Sequence, residues 1–361
     1  MLSEIDVRHF RLFSQLKIDD LARVNLIVGL NNSGKSTLLE AIFLLMSQNN
    51  PSALLELLSL RGETVYLNDR NQKPSGRGFQ SSHVFWGHQL TPNNRIDISG
   101  VNLDRKQLRI YLEPRQVSLF ESHPFESGVA DLDAATANLV IDYGEHQRYT
   151  LPVDGDGILL ERYVRTPRTG RSGQDTPVNL VTTEYLDYEQ IARLWDQITL
   201  TDKEMKVVEA LQILEPKVQR ISFTSQRTSN SGILVKIQDE TVPVPLGSLG
   251  DGMRRILALI ASLVNSENGI LLVDEIDAGL HYSILEDVWR LIFDTAERLN
   301  LQVFATTHSG DCVKAFSKVS QHYEEKAGRL LRMEQHGNKQ KAVDYQADEL
   351  AIALLEEIEV R

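Results

Sequence analysis

The chain has 361 residues, of which 42% are hydrophobic, so its length suits one large domain with an insertion or two domains. Its 38 Lys and Arg residues against 50 Asp and Glu residues leave a net charge of −12, which excludes a wholly basic nucleic-acid binder but allows a local basic patch. The single cysteine, Cys312, excludes a disulfide framework, and the acidic start "MLSEIDVRHF" lacks the basic residues of a secretory signal. Together these features predict a soluble, cytoplasmic protein with no membrane span.

The first sixty residues predict strands followed by helices. Apolar and polar residues alternate in "EIDVRHFRLF", "QLKID" and "RVNLIVG", as they do in strands. An apolar stripe with helical spacing then runs through residues 38–46, and a second helix is expected from Pro51 to Leu60.

Residues 61 to about 217 have a different character. "NDRNQKPSGRGFQSS" indicates a loop, "RIDISGVNLDRKQLRIYLEP" a hairpin, and residues 186–214 a helix. From residue 218 the chain returns to alternating strands and helices, with a helix at 251–265, the short apolar strand "GILLVDE", a helix at 282–297 and the strand "LQVFATT". The sequence therefore predicts an α/β core of residues 1–60 plus 218–335, a mixed α+β insertion of residues 61–217, and a C-terminal strand and helix over 336–361.

The segment "NLIVGLNNSGKST" carries the spacing of a phosphate-binding loop, here called the P-loop (residues 29–36). Gly29 is followed by four residues and then by Gly34, Lys35 and Ser36, between a predicted strand and a predicted helix. In such a loop backbone N–H groups curl around the phosphates, the lysine reaches the outer phosphates, and the Ser36 hydroxyl joins the shell of a Mg²⁺ ion. The expected nucleotide-binding residues here are Gly29, Asn31, Asn32, Ser33, Gly34, Lys35, Ser36 and Thr37.

Two acidic residues, here called the acidic pair, end the strand "ILLVDE". Asp274 is expected to bind Mg²⁺, directly or through water, and Glu275 to take the proton from the attacking water. The next strand ends in His308, which is suitably placed to hydrogen-bond a γ-phosphate, although a histidine at a strand end often has a structural role. Lys35, Glu275 and His308 are therefore the predicted catalytic residues, and Ser36 and Asp274 the predicted metal ligands.

A glycine-containing turn, "LGDGM" (residues 249–253, the signature turn), precedes the helix at 251–265. Arg254 and Arg255 follow it in a helix terminus that already carries positive potential, so we expect an anion to bind there. The alternative is an ordinary helix cap with solvated or salt-bridged arginines.

These motifs, in this order, resemble the ATPase heads of the ABC type, specifically the branch that includes the SMC and RecF proteins and the OLD (overcoming lysogenization defect) family. The resemblance covers residues 1–60 and about 245–310. It implies an α/β P-loop NTPase fold, an ABC-type ATPase head, in which two copies sandwich two ATP molecules with Mg²⁺. In that arrangement Gly250, Asp251 and Gly252 bind the γ-phosphate of the nucleotide held by the other copy, although Gly250 stands where the family usually has serine.

The resemblance also implies two further loops. "DAGLH" (residues 277–281, the D-loop) would face the dimer partner with Asp277 and His281. The glutamine that completes the nucleotide site is expected at Gln89 in "FWGHQL", with Gln80 as the other candidate.

The absence of a sustained heptad repeat in the insertion separates the chain from SMC heads and favours the RecF and OLD side. Too few residues follow His308 for the Toprim nuclease domain of OLD proteins, and no Asp-x-Asp occurs there. Asp154 and Asp156 have that spacing, but they indicate a hairpin turn rather than a metal site. The chain thus resembles an OLD-like ATPase without its own nuclease.

Two segments bear on partners. Four arginines with no intervening acid could contact successive DNA phosphates, or could belong to a solvated loop: Arg162, Arg165, Arg168 and Arg171. The C-terminal segment "DELAIALLEEIEVR" forms an apolar helical face that either packs on the core or docks a partner.

The leading hypothesis is an ATP-hydrolysing switch subunit that acts on DNA with a separately encoded nuclease or effector, in repair or anti-phage defence. The alternative is a RecF-like DNA-binding scaffold in which nucleotide governs assembly with little turnover. A transport ATPase subunit is disfavoured, because it would need a membrane partner.

Overall fold

The computed structural model describes residues 1–68, 74–101, 107–114, 135–144, 147–161, 164, 176–182, 188–213, 215–224, 232–324, 326–337, 339–356 and 358–360. The four arginines of the predicted DNA-binding loop lie outside these residues. Within the described parts of the chain, no helix is long and apolar enough to cross a membrane.

A mostly parallel sheet forms the centre of the fold. Its strands, in the order β11-β15-β16-β3-β17-β18, are parallel except for the last, which is antiparallel to β17. The strands are β3 (Val24–Gly29), β11 (Val178–Val181), β15 (Ile270–Val273), β16 (Gln302–Thr306), β17 (Gly328–His336) and β18 (Lys339–Tyr345). β3, β15 and β16 are buried along their whole length, because layers cover both faces of the sheet.

An antiparallel sheet packs over one face of this centre, in the order β2-β1-β6-β7-β8-β9-β10-β5-β4. Its strands are β1 (Glu4–Phe10), β2 (Phe13–Ile18), β4 (Thr64–Asn68), β5 (Pro74–Gln80), β6 (Arg95–Val101), β7 (Gln107–Pro114), β8 (Ala135–Tyr143), β9 (Gln147–Asp154) and β10 (Ile158–Leu160). A smaller antiparallel sheet comprises β12 (Val218–Thr224), β13 (Gly232–Ile237) and β14 (Val244–Pro245).

The helices lie on the two faces of the parallel sheet. They are α1 (Lys35–Met46), α2 (Pro51–Leu60), α3 (Tyr188–Asp196), α4 (Asp202–Leu211), α5 (Asp251–Asn265), α6 (Leu285–Arg298), α7 (Gly310–Ser320) and α8 (Ala347–Leu355). α1 is enclosed between the two large sheets and shares one hydrophobic core with both of them. This position explains why its residues are buried on all sides instead of along a single stripe.

The solvent-facing side of the antiparallel sheet has alternating charges. Arg8, Asp97, Arg109, Asp142 and Arg148 are directly opposite one another on five successive strands. Neighbouring opposite charges in a sheet stabilise each other, so the charges along this row offset one another.

The sheets do not follow the boundaries predicted for the insertion. β11, within residues 61–217, pairs with β15 in the core sheet, whereas β1 belongs to the core by sequence but pairs with β6 of the insertion. The pairings join residues far apart in the chain, which a local pattern does not reveal.

Two local predictions were wrong. Residues 74–80, expected to be a loop, form β5, which pairs with β4 and with the distant β10. The single helix predicted over 186–214 is two helices, because Leu200 has a left-handed φ of +62° and the Thr201 side chain caps α4 by accepting from the Lys203 N–H.

Candidate nucleotide site

The P-loop connects the carboxyl end of β3 to the start of α1. Gly34, at φ +101°, precedes the helix, and a Cβ there would lie 2.5 Å from the Phe13 ring, so no larger residue fits. Leu30, Asn31 and Asn32 are exposed, whereas Ser33 is buried. The loop therefore presents its outer residues to solvent above the carboxyl edge of the sheet.

Lys35 is folded back on the P-loop. Its Nζ donates to the carbonyls of Gly29 (2.8 Å) and Leu30 (2.9 Å). Burial lowers the pKa of Lys35, while the carboxylates of Asp274 and Glu275 oppose that shift. A phosphate chain would offer this ammonium charged oxygens in place of neutral carbonyls.

Ser36 and Asp274 line one pocket of about 180 Å³ together with Thr182. Asp274 Oδ1 accepts from the Thr306 hydroxyl at 2.5 Å, and the Thr182 hydroxyl is buried with no hydrogen-bond partner in the described structure. Mg²⁺ prefers oxygen ligands such as hydroxyls and carboxylates, so the side chains present at this pocket fit the ion. Among the residues described, no group of three His, Cys, Asp or Glu could hold a metal. Mg²⁺ is commonly held by one or two carboxylates together with phosphate oxygens and water.

A buried ion network, which the sequence reasoning missed, borders the same pocket. Glu40 lies between Arg11 (Nε to Oε2, 2.5 Å) and Arg61 (Nε to Oε1, 2.7 Å), and Arg11 also pairs with Glu63. Burial raises the pKa of the Glu40 carboxyl, and the two guanidinium groups oppose that shift. Arg61 lines the pocket beside Ser36 and Asp274 and thereby adds a cation to the site. No local motif marks Arg61, which follows the end of α2.

Glu275 follows Asp274 after the end of β15, and it is exposed. Its neighbours hold its backbone conformation. Its φ is +50°, its N–H donates to Thr306 Oγ1 at 2.8 Å, and its carbonyl accepts from Arg255. His308 is exposed beyond the end of β16, which lies between β15 and β3. The structure therefore brings the P-loop, the acidic pair and His308 to the same edge of the sheet.

The signature turn differs from the expectation for its arginines. α5 begins at Asp251, after Gly250 in a positive-φ conformation, and the two arginines already have partners. Arg254 pairs with Asp251 at 2.7 Å on the surface, whereas Arg255 is buried and donates to the carbonyls of Asp274 and Glu275. The expectation that both arginines are available to a bound anion was therefore wrong for Arg255, because its position on the helix directs its side chain into the core.

The D-loop lies against the start of α5. A Cβ on Gly252 would be 3.1 Å from the Gly279 carbonyl oxygen, so the two loops are in close contact. The Asp277 carboxylate accepts from the Thr307 hydroxyl at 2.5 Å within the chain, and His281 is exposed with its Nδ1 2.9 Å from Ser283 Oγ.

Gln89 is exposed after a short 3₁₀ turn, and its carbonyl accepts from the Asn94 side chain. It is not among the residues that line the Ser36–Asp274 pocket, and its role stays a prediction. Gln80 donates to the Asp156 carbonyl in the β9–β10 turn. Asp154 accepts from two backbone N–H groups of that turn, in agreement with the predicted hairpin.

The C-terminal helix, α8, packs on the core through Leu350 and Ala353. Of the apolar face predicted for it, Leu355 and Ile358 are exposed. The core-packing alternative is thus supported for the inner face of the helix.

Comparisons with known proteins bear on the fold and on the enzyme class. Residues 1–106 match a family described as "AAA ATPase domain", and residues 195–311 match one described as "AAA domain, putative AbiEii toxin, Type IV TA system". The chain is an ATPase with the α/β P-loop NTPase fold of an ABC-type head, which confirms the predicted fold class and enzyme class.

Individual proteins are similar to the chain over different shares of its length. An "ATP/GTP phosphatase" of Helicobacter pylori is 22% identical over 348 residues, 88% of each protein. The "DNA replication and repair protein RecF" of Caldanaerobacter subterraneus subsp. tengcongensis is 29% identical over 131 residues, 34% of this chain and 35% of that protein. Among solved structures, an SMC head bound to the C-winged helix domain of ScpA superposes with a TM-score of 0.50 at 14% identity, covering 96% of this chain and 97% of that one. The chain therefore shares the fold of an SMC head.

Proposed function

We propose that the protein is an ATP-driven switch in which two copies close on two ATP molecules and open after hydrolysis. The observation that carries this proposal is the arrangement of the elements around the site. The P-loop, the acidic pair and His308 share one sheet edge, while the signature turn lies on the D-loop through Gly252. No described residue lies within 4 Å of a Cβ built on Gly250, so the start of α5 is open to a phosphate from a second copy.

Each residue has a distinct part in the reaction. Lys35 exchanges its carbonyl partners for the outer phosphates, Glu275 removes a proton from the attacking water, and His308 hydrogen-bonds the γ-phosphate. Ser36 and Asp274 would hold Mg²⁺, which neutralises charge on the phosphates when it is bound. Arg61, at the same pocket, adds a further positive charge near the phosphates.

We infer further that the switch belongs to an OLD-like system acting on DNA with a separate nuclease or effector. The support is the resemblance of the motifs to the OLD and RecF branch and the similarity to a RecF protein over a third of the chain. The same similarity favours the second candidate, a DNA-binding scaffold with little turnover.

Steady-state ATP hydrolysis with and without double-stranded DNA separates the two functions, and GTP should be assayed in parallel because the Helicobacter pylori relative is named for both nucleotides. A switch should turn over ATP measurably and respond to DNA or to an added effector. A scaffold should bind DNA in the presence of ATP while hydrolysis stays slow and does not respond to DNA.

Gly252→Asp should abolish ATP-dependent dimerisation while the isolated chain still binds ATP. The new side chain would press on the Gly279 carbonyl, 3.1 Å from the Cβ position, and would place a carboxylate where a partner's phosphate is expected. Light scattering with and without ATP measures the dimer, and equilibrium titration measures ATP binding. Gly155→Asp, in the exposed β9–β10 turn, is a matched control, because the described structure has no atom within 4 Å of its Cβ position. An ATP-dependent dimer of wild-type affinity in Gly252→Asp would contradict the proposed sandwich.

A further inference from the structure

The buried arginine of α5 connects the signature turn to the acidic pair. Arg255 is only 7% exposed, and its Nη2 donates to the main-chain carbonyl of Asp274 at 3.2 Å and to that of Glu275. The helix that begins at the signature turn therefore holds the backbone of Glu275 directly.

That backbone needs external support. Glu275 is a non-glycine residue at φ +50°, a left-handed conformation that is unfavourable for an L-residue. Thr306 fixes it from β16, because its hydroxyl accepts from the Glu275 N–H and its carbonyl accepts from the Ile276 N–H at 2.9 Å. Arg255 holds the same stretch of backbone from α5, because it donates to the carbonyls of Asp274 and Glu275.

The charge of Arg255 makes its contact with the two carbonyls sensitive to the position of the guanidinium. Burial lowers the pKa of its guanidinium, and the carboxylates of Glu275, Asp277 and Asp274 oppose that shift, so the group remains a buried cation. A buried charge bonded to two carbonyls loses much of its stabilisation when either contact is stretched.

We propose that Arg255 is a positioning residue that transmits phosphate binding at the signature turn to the catalytic carboxylate of the same chain. Asp251, the first residue of α5, and Arg255 are joined by about 6 Å of continuous helix, so a phosphate that draws in the helix start also shifts the guanidinium. Because Gly252 contacts Gly279, a shift of the helix start also moves the D-loop. Glu275 of one copy thereby reaches its working position when the partner's nucleotide is in place. The inference rests on the proposed function, because it requires both the sandwich and Glu275 as the base.

The test is the kinetics of Arg255→Met and Arg255→Lys. In Arg255→Met we expect kcat for ATP to fall about 10–100-fold, the scale of a misplaced catalytic group, with KM within threefold of wild type and the ATP-dependent dimer retained. Arg255→Lys keeps the charge, but its shorter side chain ends short of the Nη2 position that contacts both carbonyls, so kcat should fall about 3–10-fold. Adding Arg255→Met to Glu275→Gln should change kcat less than threefold, because both act on one group.

Arg290→Met, an exposed arginine on α6, is the matched control and should have wild-type kcat. Wild-type kcat in either Arg255 variant, or a full additional loss in the double variant, would overturn the inference. If Arg255→Met shows no cooperative thermal melt, Arg255→Lys decides alone. Wild-type turnover in Glu275→Gln would instead remove the proposed mechanism, whereas a slow Glu275→Gln with fast Arg255 variants would remove only the positioning role.

Discussion

Glu275→Gln should slow ATP turnover by roughly 10²–10⁴-fold, the usual scale for loss of a general base, and should accumulate an ATP-bound dimer. The substitution removes the proton acceptor but leaves the backbone contacts to Thr306 and Arg255, so the side chain keeps its place. Lys35, Ser36 and the signature turn are unchanged, so ATP binding and closure should persist. Phosphate release measures turnover, and light scattering at saturating ATP measures the dimer.

The control for this variant is Glu286→Gln, which removes an exposed carboxylate paired with Lys318 on the surface. An exposed ion pair contributes little to stability, so the turnover of Glu286→Gln should equal that of wild type. Wild-type turnover in Glu275→Gln would exclude Glu275 as the base, and a slow variant that stays monomeric with ATP would argue against closure before hydrolysis.

Lys35→Ala should weaken ATP binding by roughly 10²–10³-fold, equivalent to about 3–4 kcal/mol for the loss of a buried charged partner. Lys35 is 6% exposed, and its ammonium lies at the mouth of the loop, bonded to the Gly29 and Leu30 carbonyls that the phosphates would displace. Equilibrium titration with ATP measures the effect, and Lys318→Ala, at an exposed lysine of α7, should bind as wild type does. An unchanged ATP affinity in Lys35→Ala would refute the assignment of the P-loop.

The parts of the site that were predictable from sequence depend on neighbours in the chain. The P-loop needs glycines, a lysine and a hydroxyl within eight residues between a strand and a helix, and β3 and α1 supply that context. The acidic pair likewise follows from one short apolar strand that ends in two carboxylates. Local backbone physics determines such elements, so a short pattern identifies them.

The parts that were missed depend on residues far apart in the chain. β11 lies beside β15 only because of pairing across some ninety residues, and this pairing brings Thr182 to the Ser36–Asp274 pocket. Arg254 and Arg255 are adjacent in sequence and equal in charge, yet one is on the surface and the other in the core. Their different contacts depend on which face of α5 packs against the core, and the sequence "MRR" alone does not indicate that face.

The placement of β3 has a consequence for synthesis of the chain on the ribosome. β3 is made first, but its neighbours in the sheet are β16 and β17, which are translated some 270–300 residues later. At about 5–20 residues per second, this buried and mostly apolar strand waits roughly 15–60 seconds for its partners. The nascent chain therefore cannot hold nucleotide for most of translation, and its unpaired strand is a natural target for chaperones during that interval.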